Sequence, residues 1–307
     1  MKILVTGGAG FIGSNIADAF IAAGHQVAIV DNLTTGKKEN LNPKAEFFPV
    51  DIRDAKLAEV VNDFAPEVIA HLAAQIDVRK SVSDPVFNAE VNELGTLNLL
   101  NAAVRSKVGK IIFSSTGGAL YGEVPEKGGA AEDHAQEPIS PYAITKRSVE
   151  MYLYAYWKLY GLKFTALRYG NVFGPRQDPL GEAGVIAIFC GKLLKGETAT
   201  IYGDGEQLRD YVYVGDVAAA NLIALTRGDN NIFNIGTGVG TSVNQLFAHL
   251  KALTEFSGQA VYAPPRAGEL FRSVLNCERA RKELNWQARQ DIKSGLKLTL
   301  DWYPAVM

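Results

Sequence analysis

Tyr142 and Lys146 lie four residues apart in Ser140-Pro141-Tyr142-Ala143-Ile144-Thr145-Lys146. On a helix that spacing puts a phenol and an ammonium on one face. Ser140 suits an N-cap and Pro141 the first helical position, so the pair falls in the opening turns. A tyrosine with a pKa near 10 is only about 0.1% ionised at neutral pH. A fixed ammonium nearby favours the phenolate and turns the phenol into a general base. The same spacing also arises by chance, with the tyrosine packed and the lysine reaching solvent. The surroundings therefore decide its meaning. Residues 110–115 read as a strand that ends in hydroxyls, Ser114, Ser115 and Thr116. Parallel sheets bind ligands at that end, and a hydroxyl there can hydrogen-bond a substrate hydroxyl and assist proton transfer. Turn formation would be the ordinary use of such residues.

Thr6-Gly7-Gly8-Ala9-Gly10-Phe11-Ile12-Gly13 follows the first strand directly and opens a helix. Glycines allow a tight turn and close approach of backbone to a pyrophosphate, while the helix N-terminus offers free N–H groups. Strand, turn and helix in this order mark a dinucleotide site rather than a bare glycine-rich turn. Gly7, Gly10 and Gly13 are spaced G-x-x-G-x-x-G, not G-x-G-x-x-G. Asp31 closes the second strand, where an acid binds adenosine ribose hydroxyls and repels a 2′-phosphate. One like-charge pair at about 5 Å, with an effective dielectric near 20, costs on the order of 3 kcal/mol. That selects NAD over NADP, and Lys37 and Lys38 beside Gly36 read as a solvated turn. Asp51-Ile52 closes the third strand, placed for the adenine. His71-Leu72-Ala73-Ala74 closes the fourth, beside the pyrophosphate. His71 itself reads as a satisfied, semi-buried histidine, and no metal site is expected.

These groups need a scaffold. Apolar runs at 2–6, 26–31, 46–50, 68–73, 110–115 and 163–169 alternate with helical patterns at 12–23, 55–64, 86–105 and 141–160. Continuous apolar strands separated by helices imply a Rossmann-type α/β fold, a doubly wound parallel sheet covered on both faces. After about Tyr169 glycine and proline become frequent. A helix is expected at 185–195, another near Asp216, and a strand at 231–238 returning to the sheet. The expected division is an NAD-binding domain of residues 1–168 plus about 211–238. A smaller, interleaved C-terminal lobe takes about 169–210 plus 239–307, with the binding cleft between them.

Composition narrows the function. The chain has 307 residues, 47% hydrophobic, with net charge -2, so it lacks the basic surplus of a nucleic-acid binder. Tyr152, Tyr154, Tyr156, Trp157 and Tyr160 therefore read as packing or interface surface, not a base-stacking platform. No run of 18 apolar residues suggests a membrane span. Cys190 and Cys277 have no metal-ligand spacing, and a reduced cytoplasmic protein is expected.

With motifs over nearly its whole length, the sequence resembles the NAD-dependent epimerase/dehydratase family of extended short-chain dehydrogenases/reductases. Within it, the nearest branch is the 4-epimerases of UDP-glucose and UDP-galactose. The resemblance implies Tyr142 as general base, Lys146 as the residue that orients the nicotinamide ribose and tunes Tyr142, and Thr116 as hydroxyl partner. The family strand end has one residue fewer before its Tyr-Gly, so Ser115 stays a second candidate for that role. Phe11, Ile12, Asn32 and Gly36 join the cofactor contacts. In Leu167–Arg176 the resemblance assigns Asn171 to the nucleotide-sugar phosphates; in the Gly-Asp-Gly loop that follows, Arg209 goes to the pyrophosphate. Arg266 becomes a second phosphate-binding arginine and Glu269 an acid on the uridine ribose, roles that suit a guanidinium fork and a carboxylate. Ser273, seven residues after Arg266, lines the sugar pocket, where a small residue admits UDP-N-acetylhexosamines. The implied reaction oxidises sugar carbon 4 through NAD and reduces it again from the other face, in a homodimer paired through residues 86–105 and 141–160. Other nucleotide-sugar epimerases, decarboxylases and dehydratases share much of this pattern. The dehydratases place Asp-Glu where Gly117-Gly118 stand here. A non-catalytic NAD sensor would have no use for an activated phenol.

Overall fold

The computed structural model describes residues 1–124, 127–179, 184–266 and 268–303. Six strands lead the first half: β1 (Lys2–Thr6), β2 (Gln26–Val30), β3 (Glu46–Phe48), β4 (Val68–His71), β5 (Lys110–Thr116) and β6 (Lys163–Tyr169). After β7 (Asn171–Phe173), β8 (Thr200–Tyr202) and β9 (Leu208–Tyr213), β10 (Asn231–Ile235) rejoins them. The result is a seven-stranded parallel sheet in the order β10-β6-β5-β4-β1-β2-β3. The chain reverses direction at β1, and ligands sit in the crevice such a switch point opens at the C-terminal strand ends.

The strands are mostly apolar because both faces are covered; all four residues of β4 are buried. One face packs on α1 (Phe11–Ala22) and, from the second half, α8 (Val214–Ala224). The other lies under α2 (Lys56–Phe64), α5 (Gly95–Arg105) and α6 (Pro141–Tyr160).

The single helix expected over residues 86–105 is divided. Asp77 caps a short helix α3 (Val78–Ser83), which the sequence pattern does not announce, and Asp84 caps α4 (Pro85–Ala89). A π-helical turn (Glu90–Leu94) then leads into α5. The extra residue of such a turn redirects side chains. Here Asn92 turns inward to Gln75 and Thr145. Gly95 then passes Ile52 so closely that a Cβ would come 2.8 Å from its Cδ1.

The remaining strands form a smaller layer. β9 pairs with β7, β11 (Gly240–Ser242) and β13 (Arg272–Ser273), and β8 pairs with β12 (Val261–Ala263). Their core is shared with α7 (Val185–Leu194), α9 (Val243–Leu253) and α10 (Ile292–Trp302). β9 runs unbroken through position 211 within this layer, so the expected boundary there falls inside a strand. The buried Asp210 ties the layers together. Its carboxylate accepts from Thr237 N and Oγ1 at 2.7 Å each, Gly238 N at 3.0 Å and Leu275 N at 3.3 Å. That turn ends β10 at Ile235, short of the expected 238. Among the described residues no helix is long and apolar enough to cross a membrane.

Candidate active site

The glycine turn is built for close approach. Gly7 has φ +72°, and a Cβ on it would stand 2.7 Å from Ala73 N, beside Leu72 and ahead of Ala74. A Cβ on Gly13 would run into the Gly7 carbonyl. Gly10 is the N-cap of α1 and offers no side chain; the first intrahelical bond runs from Ser14 N to Gly10 O. The amides of Phe11, Ile12 and Gly13 are thus left without acceptors among the described residues. Asp31 holds the turn from behind, accepting from Ala9 N at 3.0 Å and Leu33 N at 2.8 Å. Gly36 lets that carboxylate in: a Cβ there would meet Asp31 Oδ1 at 2.8 Å. Asn32 donates to Asp51 at 2.8 Å, and the Arg53 guanidinium holds the Asp51 carboxyl down at about 2. Ile52 is buried behind them. Bare amides, a turn without side chains and a carboxylate at the end of β2 fit a dinucleotide.

His71 is satisfied, as expected. Thr6 Oγ1 takes the Leu72 and Ala73 amides and gives its proton to His71 Nδ1 at 2.7 Å. Nε2 faces Thr96 Oγ1 at 2.8 Å, which in turn donates to Asn92 O. Burial pushes this imidazole down to about 3, so it stays neutral. The described residues hold no cluster able to bind a metal.

Ser140 caps α6 through a bond from Ala143 N, and Pro141 occupies its first turn. Lys146 is 4% exposed, yet among the described residues its ammonium has a single hydrogen bond, 2.8 Å to Ser114 O. It lies 5.8 Å from the Tyr142 ring centroid. The half-buried Tyr142 phenol has no hydrogen-bond partner among the described residues. Burial pushes that phenol up to about 12 and Lys146 down to about 7, with Glu150 pulling the lysine back up. The expected lowering of the tyrosine is therefore absent in the protein alone. Burial disfavours both charged forms, and the ammonium is directed at a main-chain carbonyl.

The strand-end hydroxyls part company. Ser115 is buried and donates to Glu150 Oε1 at 2.7 Å. Ser114 is turned to Tyr169. Thr116 is half-buried, and its hydroxyl has no partner among the described residues. Beyond it, Gly117 and Gly118 both donate to Tyr169 O, and a Cβ on Gly117 would meet Leu275 at 2.7 Å.

The residues assigned to the second lobe approach this point from the smaller layer. Ser273 Oγ donates to Gly118 O at 3.3 Å, and a Cβ on Gly118 would stand 3.2 Å from Asn171 Oδ1. Ser273 is the register partner of Arg209 between β13 and β9. Arg209 faces Glu269 at 3.6 Å, and Gln207 also reaches Glu269. Arg266 joins this chain of contacts through its carbonyl, which accepts from Glu269 N at 3.3 Å, while its guanidinium is stacked 4.0 Å from the Tyr202 ring centroid. A cavity of about 360 Å³ beside Trp286, Arg281 and Arg289 contains none of these residues, so converging groups mark the site, not cavity size. Sequence reasoning passed over Asn92, Tyr202 and the buried Glu150–Arg168 pair. Glu150, four residues beyond Lys146 on the same face, carried a signal; Asn92 showed only as an amide within a helical pattern.

Comparison with known proteins completes the picture. The sequence model of the NAD dependent epimerase/dehydratase family matches residues 3–236. The UDP-glucose 4-epimerase of Mycolicibacterium smegmatis is 44% identical over 309 residues, covering 99% of this chain and 98% of its own. The crystal structure of Thermotoga maritima UDP-glucose 4-epimerase with UDP-glucose superposes with TM-score 0.97 at 50% identity, over 99% of each chain. That of the Thermus thermophilus UDP-glucose 4-epimerase complex with NAD gives 0.95 at 46% identity, over 100% of each.

Proposed function

The chain belongs to the NAD dependent epimerase/dehydratase family, and from that premise we propose that it interconverts UDP-glucose and UDP-galactose. The observation that carries the reading is Lys146, set beside the Tyr142 ring and bonded to the end of β5, the strand that closes with Thr116, in a sheet whose switch point carries the glycine turn. The amides of Phe11, Ile12 and Gly13 hold the cofactor pyrophosphate, with Gly7 and Gly10 giving it room. Asp31 takes the adenosine ribose and selects NAD; Asn32, Gly36, Asp51 and Ile52 shape the adenosine side, and Leu72, Ala73 and Ala74 the middle. NAD held there would supply a reversible hydride acceptor for sugar carbon 4, which is the redox chemistry that inversion at that carbon requires.

The protein's own groups do the rest. Thr116 orients the sugar 4-hydroxyl, Tyr142 removes its proton and later returns it, and Lys146 fixes the phenol and the nicotinamide ribose. Arg209 and Arg266 neutralise the diphosphate, Asn171 hydrogen-bonds it and Glu269 takes the uridine ribose. Residues 1–168 and about 211–238 serve the cofactor and the remainder serves the UDP-sugar, with β9 shared between them. We place the protein in the cytoplasm, as a homodimer whose α4–α6 surfaces pair; Met151, Tyr154, Leu159 and Tyr160 are more than half exposed there. A dehydratase acid at Gly117 is disfavoured, because Leu275 already occupies the space a side chain would need.

The test is incubation of the purified protein with UDP-galactose and no added NAD. UDP-glucose should form; no conversion even with NAD added would refute the epimerase reading. Ser273 supports a further substrate. It is buried against Gly118, so Ser273→Tyr should fill the sugar pocket and lower kcat/KM for UDP-N-acetylgalactosamine at least about tenfold relative to UDP-galactose. An unchanged ratio in competition assays would remove Ser273 from the pocket wall.

A further inference from the structure

Glu150 is fully buried and faces four donors. Ser115 Oγ approaches at 2.7 Å, Arg168 Nε at 2.8 Å, Arg168 Nη2 at 2.7 Å and Arg147 Nη1 at 3.1 Å. Its partner Arg168 is 1% exposed and gives its two Nη1 donors to Tyr121 OH at 2.7 Å and Glu132 O at 3.0 Å. Tyr121 passes the chain on to Asn234 at 2.7 Å. A buried ion pair of this quality contributes little net stability, since desolvation offsets the attraction. What it fixes is geometry. Lys146 holds the end of β5 at Ser114 O, and Glu150, one turn further along α6, holds it again at Ser115 Oγ. Thr116 is the next residue on that strand, and Tyr142 lies one turn back on that helix. Two clamps at successive residues fix the slide and the rotation of the strand end against the helix, where one clamp would leave rotation free. Near-attack geometry is steep enough that a shift of about 1 Å costs on the order of a hundredfold in rate.

We propose that Ser115, Glu150 and Arg168 form a positioning triad that sets Thr116 against Tyr142, so that Ser115 acts through Glu150 and not on the substrate. The proposal rests on the epimerase reading. It gives the second strand-end hydroxyl a task that needs no contact with sugar, and it explains why a fully buried carboxylate stands one turn beyond the Lys146 ammonium. Arg168 on the neighbouring strand β6 fixes that carboxylate from a second direction, through register pairing of Arg168 with Ser115. Hydroxyl, carboxylate and guanidinium thereby join β5, α6 and β6 at one point.

The experiment is a double-mutant cycle on the NAD-loaded enzyme with UDP-galactose, using Ser115→Ala, Glu150→Gln and their combination. Ser115→Ala keeps Glu150 paired with both arginines and should fold normally, with an unchanged melting temperature and full NAD content. Its kcat should fall about tenfold while KM stays within twofold, the pattern of lost transition-state alignment. Glu150→Gln should show a similar loss, and the double variant should be no worse than the slower single one. Ser115→Ala with kcat within twofold of wild type would overturn the proposal. So would losses that multiply in the double variant, since the two residues would then act separately. Should Glu150→Gln fail to fold, Ser115→Ala alone still decides through its kcat. A wild-type enzyme that turns over while Ser115→Ala is undiminished defeats only the positioning role. A wild-type enzyme without turnover defeats the epimerase reading, and this proposal with it.

Discussion

Tyr142→Phe is expected to lower turnover of UDP-galactose about a thousandfold while fold and bound NAD are kept, because general acid–base catalysis is worth roughly 10²–10⁴-fold. The substitution deletes one oxygen and leaves the ring in place. That oxygen has no hydrogen-bond partner within the described protein, so its loss orphans no buried group. The burial that now pushes the phenol up to about 12 leaves the deletion neutral or favourable for stability. A steady-state assay beside a melting curve and a count of bound NAD checks each part. Activity within tenfold of wild type would move the base elsewhere. A lower melting temperature would show that the hydroxyl has a structural partner after all. An NAD-sensing protein would keep its function entirely, which separates that class from an enzyme.

The second large effect is on stability. Arg168→Ala should cost about 3–5 kcal/mol, because removing one member of a buried ion pair strands the other. The stranded group would be Glu150, with 0% of its side chain exposed, left with Ser115 and the partly exposed Arg147. Tyr121 and the Glu132 carbonyl would lose their donor as well. With a total stability of about 5–15 kcal/mol typical of folded domains, a loss of this size is readily seen in urea denaturation. The double variant Arg168→Met/Glu150→Leu removes both charges together and should recover most of the loss. It should nevertheless stay slow, since the Ser115 hydroxyl would have no carboxylate to bind. A double variant that regained stability and full kcat would mean that the pair serves folding alone. A single variant as stable as wild type would mean that water or a neighbour compensates the carboxylate.

Much of the site was legible in the chain itself. Spacing alone set Tyr142 and Lys146 on one helical face, Ser140 and Pro141 at the helix start, Gly7 and Gly10 between the first strand and helix, and Gly13 in that helix's first turn. These are local relations, fixed within a turn or two of backbone, and the chain needs no distant partner to satisfy them. The unbroken apolar strands likewise required a sheet covered on both sides. Strand ends were less legible. β2, β4 and β10 each stop short of the expected residue because a turn carrying Asp31, the Thr6 hydroxyl that accepts the Leu72 and Ala73 amides, and the Asp210 carboxylate claim the backbone there.

Tertiary structure decided the rest, where the relation joins residues far apart in the chain. Alternation along β5 sends Ser114 and Ser115 to opposite faces, toward Tyr169 and Glu150, but only α6 and β6, packed alongside, make the second face the Glu150–Arg168 cluster. Asn92 is structural because the π-helical turn directs it toward Gln75, and just beyond that turn Gly95 lets α5 clear Ile52. The direction in which Tyr142 titrates also escaped the sequence. Proximity to a lysine is written in the spacing, but desolvation is not: it depends on every element that closes over the pair, and here burial sets the upward direction.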